Sequence, residues 1–439
     1  MTHIRRRIFF YVLLAIFLLF GSGVVFYAQG WRFDRKTLSP VKVGAIYIRT
    51  FPENAAILLD GKALPLPSGF FERGTFVNGL FPRTYRLKAS SPGYHEWEGN
   101  IPVLPSLISQ LRQLVLVPKD PSPVLSGPVR GFTIVDDLFL LETPDGKIVS
   151  RGIELPGSRI VGVAEHGTKT VTFNATTKAY HSSDLLSGTS TNLNALFLKS
   201  GVTLSLYPPS SVIVMQEDGS LLLVKGLRNL FALDTRTRTA MKLDEGTSTI
   251  ATAAASLEWI GWSTFDANEG LSRFSFYNRI GRTFFRSTAT VPGKTAMIAF
   301  NARNELGALQ EDGSLYIFRP REAPEKIASD VRSFVFSAAG NGIATIENSS
   351  LEVFSLDAPS EYFRFNVPDP RAIRSVEWYK DDRHLFLHYP DRVSFLDFAD
   401  ANLENLVSVA ETPLGTYRAE TNVFYFLKGG AVYKLQFPE

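Results

Sequence analysis

The pattern of hydrophobic and polar positions changes three times along the chain. From Ile8 to Gln29 there is no formal charge over 22 residues, and Phe, Leu, Val and Ile dominate. A helix of that length runs about 33 Å, enough for one crossing of a bilayer's hydrocarbon core. From Val43 to Val117 the pattern becomes short alternating apolar runs broken by turn dipeptides, as antiparallel strands read. Ile46 and Ile48 open a strand, Pro52 interrupts it and Ala56 to Leu59 resumes it. Asp60-Gly61 then supplies the positive φ that a tight hairpin requires. Tyr85-Arg86-Leu87-Lys88-Ala89 alternates between a buried and a solvated face, Pro92-Gly93 turns the chain into Tyr94 to Trp97, and Leu111 to Val117 makes a final strand. Pro118, Pro121, Pro123 and Pro128, mixed with Ser122, Ser126 and Gly127, break helix and strand alike, so residues 119–128 read as an inter-domain linker.

Beyond the linker the pattern repeats. Gln216-Glu217-Asp218-Gly219-Ser220-Leu221 recurs as Gln310-Glu311-Asp312-Gly313-Ser314-Leu315, each copy flanked by apolar runs, which is one β-hairpin drawn twice, 94 residues apart, or two units of 47. Looser copies stand at Pro144-Asp145-Gly146, Thr176-Thr177, Asn268-Glu269-Gly270, Asn348-Ser349, Pro390-Asp391 and Gly429-Gly430. A spacing of roughly 40 residues is the period of a four-stranded propeller blade. Val376-Glu377-Trp378 followed by Asp381-Asp382-Arg383 and Leu385-Phe386-Leu387 has the form of an inner strand, a turn and a second strand. Val335-Phe336-Ser337 followed by Gly340 to Ile346 has the same form. Phe231 to Arg238 and Val353 to Pro359 supply the later strand and its polar turn. The expected architecture for residues 129–439 is a seven- or eight-bladed β-propeller. A pair of β-sandwiches or a β-helix is the alternative. These repeats resemble WD40-like and quinoprotein-like propellers in general.

In the preceding segment, Gly44-Ala45-Ile46-Tyr47-Ile48, Pro52-Glu53-Asn54-Ala55, Leu58-Leu59-Asp60-Gly61 and Gly93-Tyr94 occur in that order. Residues 41–118 therefore resemble the PEGA domain, named for a Pro-Glu-Gly-Ala turn. Here Asn54 takes the third position, and among non-glycine residues Asn best tolerates the left-handed conformation. Two departures stand out: Leu64-Pro65-Leu66-Pro67 and Gly69 to Gly74 replace the usual Thr-Pro step, and Pro82-Arg83 replaces a glycine. The resemblance implies a small β-sandwich-like module of surface and envelope proteins, with no catalytic residues.

Arg5, Arg6 and Arg7 directly precede the apolar run, whereas Arg32, Arg35 and Lys36 follow it, diluted by Trp31 and Asp34. By the positive-inside rule residues 1–7 are a cytoplasmic stub, residues 8–29 a transmembrane helix in the lipid bilayer, and the bulk of the chain lies outside the cytoplasm. The competing reading is a cleaved signal peptide ending near Gly21-Ser22-Gly23. Against it, the apolar run continues through Val24, Val25, Phe26 and Tyr27, and Tyr27 and Trp31 form an aromatic anchor.

With 46 basic and 43 acidic residues the charge is nearly balanced, which disfavours nucleic acid as a partner. The absence of cysteine excludes disulfides, Cys-ligated zinc, iron–sulfur clusters and thiol nucleophiles. Six histidines stand at 3, 95, 166, 181, 384 and 388. His384 and His388 fall on one predicted strand, about 13 Å apart at strand rise, too far to share a metal ion. Glu217-Asp218, Glu311-Asp312 and Asp381-Asp382 read as turn formers, and the 34 phenylalanines as strand residues filling space between blades. No catalytic, cofactor-binding or metal residue is assigned and no cofactor is expected. The expected function is a membrane-anchored, extracytoplasmic binding or scaffold protein with an envelope protein or glycan as its partner. The alternative is an envelope enzyme, a hydrolase or quinoprotein-like oxidoreductase, working in the propeller channel.

Overall fold

The structure is a computed structural model that describes residues 3–34, 39–65, 74–164, 167–215, 219–319, 322–358, 362–365, 367–398 and 405–439. Outside them lie Arg35 and Lys36, Leu66-Pro67 and Gly69 to Arg73, His166, Gln216-Glu217-Asp218 and Pro359, together with the side chains of His3 and Arg5 to Arg7.

Helix α1, His3–Ala28, contains the apolar stretch Phe9–Ala28, 20 residues long and uncovered by protein. At 1.5 Å per residue that stretch measures about 30 Å, long and apolar enough to cross a membrane once. Its continuation is a hairpin in which Trp31–Asp34 pairs with Ser39–Lys42.

The chain divides into two compact units. The first gathers the described residues of Met1–Asp120 with Phe395–Val409 and Leu435–Glu439, and the second gathers Pro121–Ser394 and Ala410–Lys434.

In the first unit, two sheets enclose one core. Gly44–Phe51 is the middle strand of a three-stranded sheet, with Thr75–Leu80 on one side and Ile108–Val115 on the other. Lys62–Ala63, Ala56–Leu59, Arg83–Ser90 and Trp97–Val103 form the second sheet. Ile46 and Ile48 of the first sheet meet Ile57, Leu87 and Ile101 of the second, all buried. The Asp60-Gly61 hairpin forms as its chemistry dictates, with φ of 47° and 78°. One pairing departs from the antiparallel expectation: Gly44–Phe51 and Ile108–Val115 run parallel. An alternating strand pattern is the same for either direction of its neighbour, so only the path of the intervening chain sets it.

Among the described residues, the rest of the strands build eight four-stranded antiparallel sheets. Seven take consecutive strands, over 131–155, 159–192, 212–245, 249–292, 295–328, 331–365 and 375–410. The eighth joins Gly415–Arg418, Val423–Lys428 and Ala431–Gln436 to Ser122–Leu125, a strand from the other end of the repeat. Successive meanders with the last sheet zipped from both ends of the repeat define an eight-bladed β-propeller. Residues 119–128 are thus not only a linker. Pro123 is accommodated because its strand is an edge, where a missing N–H costs no ladder bond.

The hairpin tips are where the sequence puts them. Those at 144–146, 176–177, 268–270, 312–313, 348–349, 390–391 and 429–430 all join the second and third strands of a blade. The identical repeat is different. Its second copy joins Leu306–Gln310 to Leu315–Phe318, second to third strand, whereas its first copy joins Val212–Met215 to Leu221–Lys225, first to second strand. The 94-residue spacing is therefore not two propeller periods. A truer periodic mark is the turn after the first strand, where Asn304, Gly340, Asp382 and Asn422 each hold positive φ at intervals close to 40 residues.

Phenylalanines do fill the space between blades. Phe274 and Phe318 pack at 4.3 Å between the fourth and fifth, and Phe386 and Phe424 stack at 4.9 Å between the seventh and eighth.

Candidate functional site

The first strands of the seventh, eighth and first blades, Ser375–Trp378, Gly415–Arg418 and Gly131–Val135, line a cleft of about 440 Å³. Phe132, Arg374, Glu377, His388, Leu414 and Thr416 are on its wall. Local sequence fixes each group. Ser375–Trp378 pairs with His384–His388 so that Ser375 faces His388 and Glu377 faces Phe386. The turn between them is closed by Asp381, whose Oδ1 accepts the Arg383 N–H at 2.9 Å, and by Asp382 with φ of 55°. In the next blade Gly415 allows close approach: a Cβ there would lie 2.5 Å from the Phe424 ring.

Glu377 is the centre of the cleft. Its two carboxylate oxygens accept the Tyr417 N–H at 3.1 and 3.0 Å, and Thr416 Oγ1 lies 3.3 Å away. One carboxylate therefore ties the first strand of the seventh blade to that of the eighth. His388 Nε2 is 3.4 Å from Glu377 Oε2, and the imidazole is nearly buried. The Arg374 main-chain N–H donates to His388 O at 2.8 Å, while its side chain is exposed and without an ion pair among the described residues. The set offers an anionic acceptor, a histidine able to donate or accept, a free guanidinium and a phenyl face. Ser375 stands opposite His388, yet no hydrogen bond links its hydroxyl to the imidazole, whose Nε2 is turned to Glu377. The geometry does not assemble a serine–histidine relay.

His384, on the same strand as His388, plays another part. It is fully buried, its Nδ1 2.7 Å from Asp381 Oδ2, and its ring is edge-on to Tyr379. Glu377 was visible in the sequence only as a member of a strand; its signal is a charge between Val376 and Trp378 on a first strand. Of the acidic turn pairs, Asp312 accepts the Ser314 N–H at 2.8 Å within its turn, whereas Glu311 reaches out of the turn to pair with Lys294.

A second polar cluster lies in the sixth blade, beside a cleft of about 390 Å³. Glu347 and Glu352, at the facing ends of Gly342–Glu347 and Leu351–Ser355, are both nearly buried. Ser350 Oγ donates to Glu347 Oε2 at 2.8 Å, and Arg364 pairs with Glu352. Burial, and then the neighbouring Glu352 carboxylate, push the Glu347 pKa above the usual carboxylate value, against the opposing pull of the Ser350 hydrogen bond.

No protein-family model matches the chain, and no curated protein sequence matches it. Among solved structures, Kluyveromyces lactis Hsv2 is 11% identical over 64% of this chain and 98% of its own, with a TM-score of 0.44. An oligogalacturonate lyase in complex with manganese is 11% identical over 73% of this chain and 98% of its own, with a TM-score of 0.45. Citrobacter koseri AztD is 12% identical over 75% of this chain and 93% of its own, also at 0.45. The propeller assignment stands on the sheet topology.

Proposed function

We propose that this protein is a membrane-anchored binding or scaffold protein of the cell envelope, whose propeller presents the Arg374–Glu377–His388 cleft to a protein or glycan partner. Helix α1 is the anchor, with residues 1–7 on the cytoplasmic side and the PEGA-like module and propeller outside. The PEGA-like module serves as spacer or adhesion domain. The observation that carries the binding reading is the cleft itself: the carboxylate, imidazole and guanidinium of the seventh blade and the Phe132 ring of the first line an open space of about 440 Å³. Such a set can accept, donate and stack against a hydroxyl-rich or peptide ligand.

The test is calorimetric titration of the full chain in lipid nanodiscs with envelope oligosaccharides and peptides, beside the variants Arg374→Ala and His388→Ala. Binding that both variants weaken about tenfold supports the reading; ligands bound equally by all three proteins place the site elsewhere. Protease added outside intact cells tests the topology, and protection of residues beyond 40 would overturn it.

A second reading, an envelope hydrolase, is favoured by the Glu347–Glu352 pair, a raised carboxyl beside a paired carboxylate at a cleft wall. Glycoside turnover abolished in both Glu347→Gln and Glu352→Gln would select it.

A further inference from the structure

The end of α1 and one edge of the first unit are joined through a single residue. The Val43 N–H donates to Gly30 O at 2.9 Å, and Val43 O accepts the Ser106 N–H at 3.1 Å. The turn is pinned again by the Ala45 N–H to Leu107 O at 3.0 Å. Gly44 permits this seat, since a Cβ there would lie 2.4 Å from Leu104 O. The turn at 104–108 is thus held at the level where α1 ends, and its apolar side chains are half open: Leu104 is 53% and Leu107 56% exposed, with Ile108 exposed beside them. Phe33, in the hairpin that continues α1, is 61% exposed.

Two cations stand at the same level. The Arg32 guanidinium lies over the Tyr27 ring at 3.4 Å and donates to Tyr27 O at 2.8 Å. The Lys42 ammonium lies over the Trp31 ring at 5.4 Å, and Trp31 stacks on Phe26 of the helix. Aromatic rings at a helix end with cations lying over them match the level of lipid headgroups. Apolar side chains at that depth are matched by the upper acyl region.

We propose that the 104–108 turn and the paired strands Trp31–Asp34 and Ser39–Lys42 form a second membrane contact, in which Phe33, Leu104, Leu107 and Ile108 enter the bilayer interface while Arg32 and Lys42 meet lipid phosphates. The occupant of this surface is the same bilayer that α1 crosses. The contact fixes the first unit on the membrane surface instead of leaving it to swing on a flexible stalk. The inference rests on α1 being a membrane span.

The chain has no cysteine, so single-cysteine variants can each carry one environment-sensitive fluorophore. Leu104→Cys and Leu107→Cys probe the proposed contact, Leu18→Cys probes the span, and Leu257→Cys, on the propeller surface, is the control. Each full-length protein is reconstituted in vesicles of phosphatidylcholine and phosphatidylglycerol containing lipids spin-labelled at shallow or deep acyl positions. The expected result is quenching of at least twofold by the shallow label at 104 and 107, by the deep label at 18, and by neither at 257. Quenching at 18 with 104 and 107 behaving like 257 overturns this inference and leaves the anchor standing. Loss of quenching at 18 itself overturns the anchor and, with it, this contact.

Discussion

A carboxylate that accepts a backbone N–H of the neighbouring blade on both oxygens is a structural tie as well as a site group, and the two roles separate by substitution. Glu377→Ala leaves the Tyr417 N–H and the Thr416 hydroxyl without their acceptor. The charge-assisted bonds lost are worth about 2 kcal/mol. The urea midpoint should fall accordingly, whereas Glu377→Gln, which keeps one acceptor oxygen, should lose about half as much; an unchanged midpoint in Glu377→Ala would remove the tie. Glu347 gives a prediction of opposite sign. Its folded pKa is raised above the ordinary 4.5, so the folded state binds more protons than the unfolded one between those two values. The stability it contributes is present below about pH 4.5 and lost as pH rises through the raised value. Glu347→Gln keeps the Ser350 hydrogen bond but cannot ionise, so it should flatten that decline and melt higher than the parent at pH 8. Thermal melts from pH 4 to 8 would sink this if both proteins kept the same slope. At this scale the sequence showed the residues but not their partners. His384 and His388 share one strand, yet each answers to a different carboxylate, Asp381 by a local turn and Glu377 by cross-strand register. Register between neighbouring strands leaves no mark in either strand alone.

Blade elements were legible in so far as their chemistry is local. Turns declare themselves through Gly, Asn and Asp, because few other residues accept positive φ at low cost, and the seven expected tips among the described residues fall between paired strands. The rank of a strand within its blade is not local. Asp312-Gly313 serves the second link of the fifth blade, whereas the same six-residue motif, whose Gln216-Glu217-Asp218 lie outside the described residues, stands in sequence between the first and second strands of the third, since a short antiparallel connection is needed in both. Packing between blades is a further property that only contact reveals. Gly307, inside the fully buried strand Leu306–Gln310, sits where a Cβ would be 2.6 Å from the Phe334 ring and 2.8 Å from that of Phe336 in the next blade. Gly307→Ala should therefore overpack this seam and destabilise by about 1–3 kcal/mol. A midpoint within 0.5 kcal/mol of the parent, by the same urea titration, would show that the two rings can move aside.

On the scale of the whole molecule, boundaries drawn along the sequence mislead because distant segments complete one another. The buried bond from the Trp97 indole to Asp397 at 2.8 Å joins residues 300 positions apart inside the first unit. Ser122–Leu125, read as linker from its prolines, is the closing strand of the eighth blade. Composition gave the wrong sign here, because proline excludes central strands but not edges. That closure makes the last prediction. Ser122 and Lys434 are directly opposed across the antiparallel pair, where Cα atoms lie about 4.5–5.5 Å apart, within the reach of a disulfide. In a chain without cysteine, Ser122→Cys with Lys434→Cys can form one bridge only. The bridge would close nearly the entire propeller into a covalent loop and remove unfolded-state entropy worth at most about 5 kcal/mol, less any local strain. The oxidised variant should melt several degrees above its reduced form, and dithiothreitol should abolish the difference. If mass spectrometry shows the bridge formed and the midpoint does not rise, strain in the folded bridge cancels the entropic gain and residues 122 and 434 are not directly opposed. If it rises, the bridge fits without strain and Ser122–Leu125 is seated on Ala431–Gln436 as the closing strand of the eighth blade.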